Sequence, residues 1–196
     1  MDSTNVLPRE FCNIARKHFN DDLVCGASGV IINHESAYGI SAKWRSRHLF
    51  KADMTYNNYH NTKSLTTYGT ILRRSAVLDV GNFNSALRHS EDKDLGKRLL
   101  NASYKIIGDP NLIVYSIKKD SVLSVLERYW RWYGGEGESM CFYDYLMAIK
   151  ASIRPMIQQD IMAFDLKSAL ISFLCPHYGY CRYLFRKFTG KIQNHS

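Results

Sequence analysis

The spacing of apolar residues predicts α/β structure in the first part of the chain and helices in the rest. Short apolar or β-branched runs bounded by turn residues are typical of strands, and they occur at 23–32, 68–73, 104–107 and 112–117. The last two runs flank Asp109-Pro110, which predicts a turn between them.

Helices are predicted where apolar residues recur every three or four positions, at 8–19, 41–51, 75–80, 121–133, 139–151, 165–175 and 178–188. Another helix should follow Ser90, a candidate N-cap, because Glu91 and Asp92 would then complement the helix dipole. The fold expected is therefore a partial mixed α/β sheet flanked by helices over residues 1–117. A helical C-terminal appendage would occupy residues 118–196.

Composition and charge narrow the class of protein. The chain has 196 residues, 45% of them hydrophobic and 13% aromatic, which excludes a disordered chain. Its net charge of +8 suits an anionic partner such as a nucleotide phosphate, a nucleic acid or an acidic membrane face. The cysteine count is odd and no C-x-x-C pair occurs, which favours a reducing compartment and argues against a zinc site. No apolar run approaches the ~20 residues of a spanning helix.

The first segment that could carry chemistry is Asp2-Ser3-Thr4-Asn5, an oxygen-rich turn followed by Pro8 and a helix. Oxygen ligands suit Mg²⁺ or Mn²⁺, which could be held there against a diphosphate. The alternative is an ordinary polar terminus.

The second segment is Ser90-Glu91-Asp92, at the start of the helix expected after the Gly81-Asn82-Phe83-Asn84 turn. A carboxylate fixed at a helix N-terminus can serve as a general base. The alternative is complementation of the helix dipole alone.

The third segment is Arg128-Tyr129-Trp130-Arg131-Trp132. Arg128 and Arg131 are three residues apart, so they share a helix face and could grip a diphosphate, and Trp132 could pack on a sugar ring. One alternative is an amphipathic helix whose aromatic residues anchor a core. Another is RNA binding, since arginine and aromatic side chains also stack on bases.

Together these segments resemble family 2 glycosyltransferases. That family has R-R-x-x-φ-x-x-x-G-G-F, where φ is apolar, and then E-D-x-x-L-x-x-R. The residues in register here are Arg73, Arg74, Gly81, Phe83, Glu91, Asp92, Leu95 and Arg98. Residues 128–132 are similar to the Q-x-x-R-W element of processive members, with Arg in place of Gln. Residues 2–8 take the place of the D-x-D motif and its following Pro-helix, so the resemblance covers roughly residues 1–137.

The resemblance implies a GT-A fold and inverting transfer of a sugar from a nucleotide-diphosphate donor to a hydroxyl of a glycan or lipid-linked acceptor, as in cell-surface polysaccharide synthesis. Asp92 would be the base and Glu91 would shape the acceptor site. Arg128, Arg131 and Arg74 would bind the diphosphate or acceptor, and Trp132 would line the acceptor channel. Asp2 and Thr4 would hold Mg²⁺ or Mn²⁺. No nucleic-acid partner is expected.

The chain departs from the family pattern in three places. It starts at the D-x-D position, so the half that binds the nucleotide base is expected to be missing. Thr4 replaces the last Asp of D-x-D, and no His follows the strand near 112–116, where the family often has one. An alternative function follows from these departures: a truncated or degenerate homologue without catalysis, acting as a binding or partner subunit.

The C-terminal residues 176–196 mix basic and aromatic side chains and contain no acidic residue. Such a segment suits an interfacial helix on an anionic cytoplasmic leaflet, so a cytoplasmic protein with peripheral membrane contact is expected. The alternative is a helix that packs on the core and leaves a basic edge in solvent.

Overall fold

A computed structural model describes residues 4–51, 58–87, 90–133 and 140–189. The strands are β1 (Asn5–Val6), β2 (Val24–Asn33), β3 (His60–Asn61), β4 (Thr70–Leu72) and β5 (Lys105–Ser116). The α-helices are α1 (Phe11–Ala15), α2 (Ile40–His48), α3 (Arg74–Asp79), α4 (Glu91–Asn101), α5 (Val122–Tyr133), α6 (Phe142–Ala151), α7 (Gln158–Met162) and α8 (Leu166–Phe188). The 3₁₀-helices are Arg16–Asn20 and Glu35–Ala37, and the segment Ser152–Ile157, which kinks at Arg154, joins α6 to α7.

The chain forms two compact units. The first unit contains Met1–Ala37 and Phe50–Lys118, and the second contains Tyr38–Leu49 and Lys119–Ser196. The short segment that carries α2 therefore belongs to the same unit as the C-terminal helices, although it lies between two strands in the sequence.

The first unit is built on one mixed sheet with the strand order β1-β5-β2-β4, in which β3 also pairs with β5. The pair β2 and β5 is parallel, and the other pairs are antiparallel. Apolar residues cover both faces: Phe11 and Ala15 of α1 pack with Ala27 and Val114, and Leu95 of α4 lies in a second cluster. This mixed sheet flanked by helices confirms the predicted class, a partial GT-A-like α/β fold.

The turn predicted at Asp109-Pro110 is wrong, because β5 runs through it as one strand. Between paired positions, β2 advances from Ser28 to Val30 while β5 advances from Gly108 to Ile113. The extra residues form a bulge, which accommodates the proline within a strand.

The second unit consists of helices, and it corrects the prediction of separate helices at 165–175 and 178–188. They form the single helix α8, with Pro176 inside it. Trp44 of α2 is fully buried in this unit and donates from Nε1 to Ser172 Oγ of α8 at 2.8 Å. In the described part of the chain, no helix is long and apolar enough to cross a membrane.

Candidate functional site

The carboxyl ends of the parallel strands β2 and β5 carry a row of polar residues. Asn33 and Ser116 are paired at these ends, and Asn5 of β1 pairs with Ser116 from the other side. Asn5 and Ser116 are both buried. Ligand sites in α/β proteins favour this edge of a sheet, because loops and helix termini converge there.

Thr4, the proposed counterpart of the last D-x-D residue, lies at this edge. Its carbonyl oxygen accepts a hydrogen bond from the backbone N–H of Ile117 at 3.0 Å. The start of the chain therefore meets the segment after β5 in which the family often carries a His.

The donors for a divalent cation at this edge are few. Thr4 supplies a neutral hydroxyl, and Asp2, the carboxylate predicted to bind the ion, lies outside the described residues. Nowhere in the described ranges do three His, Cys, Asp or Glu side chains come together in a metal-binding group. Because Mg²⁺ and Mn²⁺ prefer several charged oxygen ligands, the described residues alone do not fit such an ion.

Glu91 and Asp92 share the first turn of α4, as the sequence predicts. Both side chains are partly buried, and Asp92 Oδ1 accepts a hydrogen bond from the backbone N–H of Lys93 at 2.7 Å. The helix dipole favours carboxylates at this position. Ser90, the residue before the helix, has a positive φ of 61°, so the chain turns sharply into α4.

Two contacts hold α4 in place beneath these carboxylates. Leu95 and Leu99 are fully buried in the core of the first unit. Gly96 faces Leu65 so closely that an added Cβ would lie 2.6 Å from Leu65 Cβ, which no side chain could occupy without a shift. The helix is therefore fixed by packing along its buried face, and its first turn is positioned with it.

Arg98, the last residue of the E-D-x-x-L-x-x-R motif, joins α4 to the turn after α3. Its Nε and Nη2 donate to Asp94 Oδ2 at 3.0 and 2.8 Å. The guanidinium also donates to the carbonyl oxygen of Val80 and, at 2.7 Å, to that of Asn82. Since these carbonyls flank Gly81, Arg98 fixes the Gly81-Asn82-Phe83 turn against the helix that carries Asp92. This positioning role is one that the sequence motif alone does not reveal.

The adjacent arginines of the R-R motif differ. Arg73 donates from Nε to the carbonyl oxygen of Val24 at 3.1 Å and from Nη2 to those of Phe19 and Asp21 at 2.8 and 3.1 Å, so it holds the entry to β2. Arg74, a predicted binding residue, begins α3 and is exposed; within residues 4–51, 58–87, 90–133 and 140–189 its side chain has no hydrogen bond or ion pair.

In the second unit, Arg128 lies on α5 in a largely buried ion pair. Its Nη2 donates to Asp120 Oδ1 at 3.2 Å, and Arg45 of α2 also donates to that carboxylate. Arg45 and Asp120 are almost completely buried. Because one carboxylate bridges two guanidinium groups, Arg128 is held within the unit rather than presented to solvent.

Arg131 and Trp132 follow on the same helix with a different environment. Both are exposed, and Arg131 makes no hydrogen bond or ion pair with any described residue. Of the two arginines predicted to bind a diphosphate, Arg131 is thus the one whose guanidinium is available.

The aromatic residues of residues 128–132 divide between core and surface. Trp130 is buried, and the guanidinium carbons of Arg182 and Arg186 lie over its ring at 5.3 and 4.6 Å from the centroid. This is cation–π packing within the unit. Burial raises the pKa of the neighbouring Tyr129 to about 12, because a phenolate shielded from water is disfavoured. Trp132 is the exposed one of these three aromatic residues, at 51%.

The predicted residues thus occupy four places. Thr4 lies at the sheet edge, Arg74 begins α3, and Glu91 and Asp92 begin α4, all in the first unit. Residues 128, 131 and 132 lie together near the end of α5 in the second unit. The sequence reasoning missed Asp120 and Arg45. The sequence does suggest a pair between Arg128 and Asp120, because Asp120 lies eight residues earlier, just before the same helix. Nothing in the sequence indicates that Arg45 would also pair with Asp120.

Comparison with known proteins identifies the class. Residues 1–186 match the sequence profile of glycosyl transferase family group 2. Because this match spans nearly all of the 196 residues, the chain belongs to that family, which confirms the resemblance drawn from residues 69–98 and 128–132. No curated protein matches the chain significantly.

Proposed function

We propose that the protein is an inverting glycosyltransferase that transfers a sugar from a nucleotide-diphosphate donor to a hydroxyl of a glycan or lipid-linked acceptor, in glycan or cell-surface polysaccharide synthesis. Membership of the family supports glycosyl transfer. The observation that carries the residue assignment is the position of Asp92. It lies in the first turn of a helix whose packing and Arg98 contacts fix it in place.

Asp92 is the proposed general base. Its carboxylate takes the proton of the acceptor hydroxyl while the hydroxyl oxygen attacks the anomeric carbon. The bond from that carbon to the diphosphate oxygen breaks, and the nucleoside diphosphate leaves with the electron pair. Attack from the side opposite the leaving group inverts the anomeric configuration. Positioned bases of this kind contribute about 10²- to 10⁴-fold to a rate.

Arg131 is the proposed partner of the departing diphosphate, because negative charge grows on that group as the bond breaks. Its exposed guanidinium can form bidentate hydrogen bonds with phosphate oxygens. Arg128 lies on the same helix and is proposed to contribute to the same contact with the diphosphate. Trp132 offers an exposed aromatic face to the acceptor sugar. Glu91, beside Asp92, is proposed to shape the acceptor site, and Arg74 to contact the diphosphate or acceptor.

A divalent cation, Mg²⁺ or Mn²⁺, is a further proposal that rests on the family resemblance at Asp2 and Thr4. Bound there, it would neutralise charge on the donor diphosphate. Since the described donors alone do not fit the ion, no step of the proposed reaction depends on it.

A second candidate function is a homologue that binds sugar or a partner subunit without turnover. It is favoured by one observation: the D-x-D position beside Ile117 carries a threonine hydroxyl instead of a carboxylate. This candidate predicts binding without release of nucleoside diphosphate, with or without metal.

Peripheral contact with the cytoplasmic face of a membrane is proposed for the C-terminal residues 176–196. Phe185 and Phe188 are exposed near the end of α8, beside basic residues. Lipid-linked acceptors would make such contact useful. Nucleic acid is not among the proposed partners, because residues 69–98 follow the glycosyltransferase pattern.

The experiment that tests the proposal combines ligand binding with turnover. The purified chain is heated with UDP-, GDP- and dTDP-sugars, with and without Mn²⁺ or Mg²⁺, and release of nucleoside diphosphate is then measured with hydroxyl acceptors. A donor at ~100 times its Kd should stabilise the native state by about 2.7 kcal/mol. A shift with one donor together with product release supports transfer. A shift without release under any condition supports the second candidate, and no shift with any donor contradicts the proposal.

A further inference from the structure

The turn between α7 and α8 carries four protruding apolar side chains, which we call the apolar corner. Met162, Phe164, Leu166 and Leu170 are 72%, 96%, 74% and 59% exposed. Large apolar residues scattered singly over a surface are ordinary, but four of them in nine residues form a patch that indicates a binding surface. Leu166 and Leu170 are one helical turn apart, and Phe173, also half exposed, continues the same face of α8.

The backbone holds this corner in a defined conformation. Phe164 has a φ of 53°, a left-handed conformation that is unusual for an aromatic residue. Its N–H donates to the carbonyl oxygen of Ile161 at 2.9 Å, and the N–H of Asp165 donates to that of Asp160 at 2.9 Å. Asp160 is itself fully buried and accepts hydrogen bonds from His48 and Ser172 at 2.8 and 2.5 Å. A strained turn anchored in this way keeps Phe164 in water instead of letting it fold back onto the unit.

The charges around the apolar corner have one accessible sign. The two carboxylates next to it, Asp160 and Asp165, are turned inward: Asp160 is fully buried, and Asp165 accepts from the N–H and hydroxyl of Ser168 at 3.1 and 2.9 Å. The exposed ammonium groups are those of Lys43, whose Nζ lies 3.8 Å from Asp165, and Lys167. The solvent therefore meets apolar side chains bordered by lysines.

We propose that the apolar corner inserts into the interface of an anionic lipid bilayer while Lys43 and Lys167 contact its headgroups. Exposed apolar side chains beside basic residues are the combination that binds such interfaces, since apolar burial and attraction to anionic lipid act together. This inference deepens the membrane contact proposed above by placing it at the opposite end of α8 from residues 176–196.

The test measures binding to vesicles and needs no transfer reaction. Sedimentation with vesicles of phosphatidylcholine, alone or with phosphatidylglycerol at about one lipid in three, compares four proteins. They are the wild type, the corner variant Phe164→Gln/Leu166→Gln, the tail variant Phe185→Gln/Phe188→Gln, and a control, Tyr38→Gln/Leu123→Gln. The control removes two apolar side chains that are 74% and 62% exposed elsewhere on the same unit. Because all six side chains are at least half exposed, the variants should keep the melting temperature of the wild type.

The expected result is binding of the wild type to the anionic vesicles and at least about tenfold weaker binding of the corner variant, with the control unchanged. A fifth protein, Lys167→Ala, should reduce binding to the anionic vesicles only. Undiminished binding of the corner variant overturns the inference, and loss in the tail variant alone returns the contact to residues 176–196. A wild type that binds neither vesicle overturns both membrane contacts and leaves glycosyl transfer untouched. A wild-type dimer that the corner variant abolishes would instead assign the surface to a second copy of the chain.

Discussion

Arg128 Nη2 donates to Asp120 Oδ1 at 3.2 Å, in an ion pair whose carboxylate is only 1% exposed. Arg131, three residues further along α5, is exposed and has no partner among the residues that the structure describes. The sequence pattern predicts the same role for both arginines, but their environments in the structure differ. Arg128 maintains the second unit, and Arg131 is available to a ligand.

This difference predicts that alanine substitutions of the two arginines affect different properties, the stability for Arg128 and the ligand affinity for Arg131. Arg128→Ala should lower the free energy of unfolding by about 3 kcal/mol, because it leaves a buried carboxylate with fewer partners. Arg131→Ala should leave the melting temperature unchanged and weaken the affinity for nucleoside diphosphate about tenfold or more. Thermal unfolding and a UDP, GDP and dTDP binding series measure both. A destabilised Arg131→Ala with normal nucleotide affinity would reverse the assignment.

Arg98 is predicted to act through position rather than by touching substrate. Arg98→Ala removes the hydrogen bonds to the carbonyls of Val80 and Asn82, so unfolding should become easier by about 1–2 kcal/mol. Lys97→Ala, at the exposed neighbouring position, is the matched control and should change stability by less than about 0.5 kcal/mol. In the assay for release of nucleoside diphosphate, Arg98→Ala should lower kcat more than it raises KM. Equal stability of the two variants would refute the positioning role.

The sequence predicts the local elements of the first unit well because they depend on short-range patterns. The strand at β2 and the helices α3 and α4 follow from apolar runs and charge order within a few residues. The N-cap predicted at Ser90 is wrong, because its side chain makes no cap hydrogen bond to α4. The bulge at Asp109-Pro110 was missed because its cause is the pairing of β5 with β2, a partner far away in sequence. Similarly, Pro176 suggests a helix break, but packing on other helices maintains α8 through it.

The candidate site divides in the same way. Glu91 and Asp92 are placed at a helix start by local charge order, so the sequence suffices. The different environments of Arg128 and Arg131 depend on Asp120 and Arg45, which only the folded unit brings together. The packing of α2 with the C-terminal helices, seen in the Trp44–Ser172 hydrogen bond, likewise depends on tertiary contacts that the sequence does not reveal.

Asp160 should make the free energy of unfolding of the second unit depend on pH in the acidic range. Burial favours its neutral form, but hydrogen bonds from His48, Ser172 and Arg47 outweigh burial and lower its pKa below the usual value. Its stabilisation is therefore present above about pH 4, the unfolded value, and is lost as pH falls through the lowered folded pKa. Asp160→Asn should cost about 3 kcal/mol at pH 7 and progressively less below about pH 4. Urea unfolding across pH measures this, with Asp22→Asn, at a fully exposed carboxylate, as the control. A deficit independent of pH would contradict the charged role.

Thr4 offers a test of the metal proposal by gain of function. Thr4→Asp adds a carboxylate at the sheet edge, where the carbonyl oxygen of residue 4 accepts from the N–H of Ile117. Mn²⁺-dependent stabilisation by a nucleotide sugar should increase, because a divalent ion prefers charged oxygen ligands. Thr4→Asn is the control, with a similar size and no charge. Equal metal dependence of the wild type, Thr4→Asp and Thr4→Asn would contradict a metal site at this edge of the sheet.

The role of Asp92 as general base is the central claim, and Asp92→Asn tests it most directly. The substitution keeps the size of the side chain and removes the proton acceptor. Release of nucleoside diphosphate from the bound donor in the presence of acceptor should fall by about 10²-fold or more, with donor affinity and melting temperature unchanged. Asp22→Asn should keep the wild-type rate. An Asp92→Asn protein that transfers sugar at the wild-type rate would contradict the account.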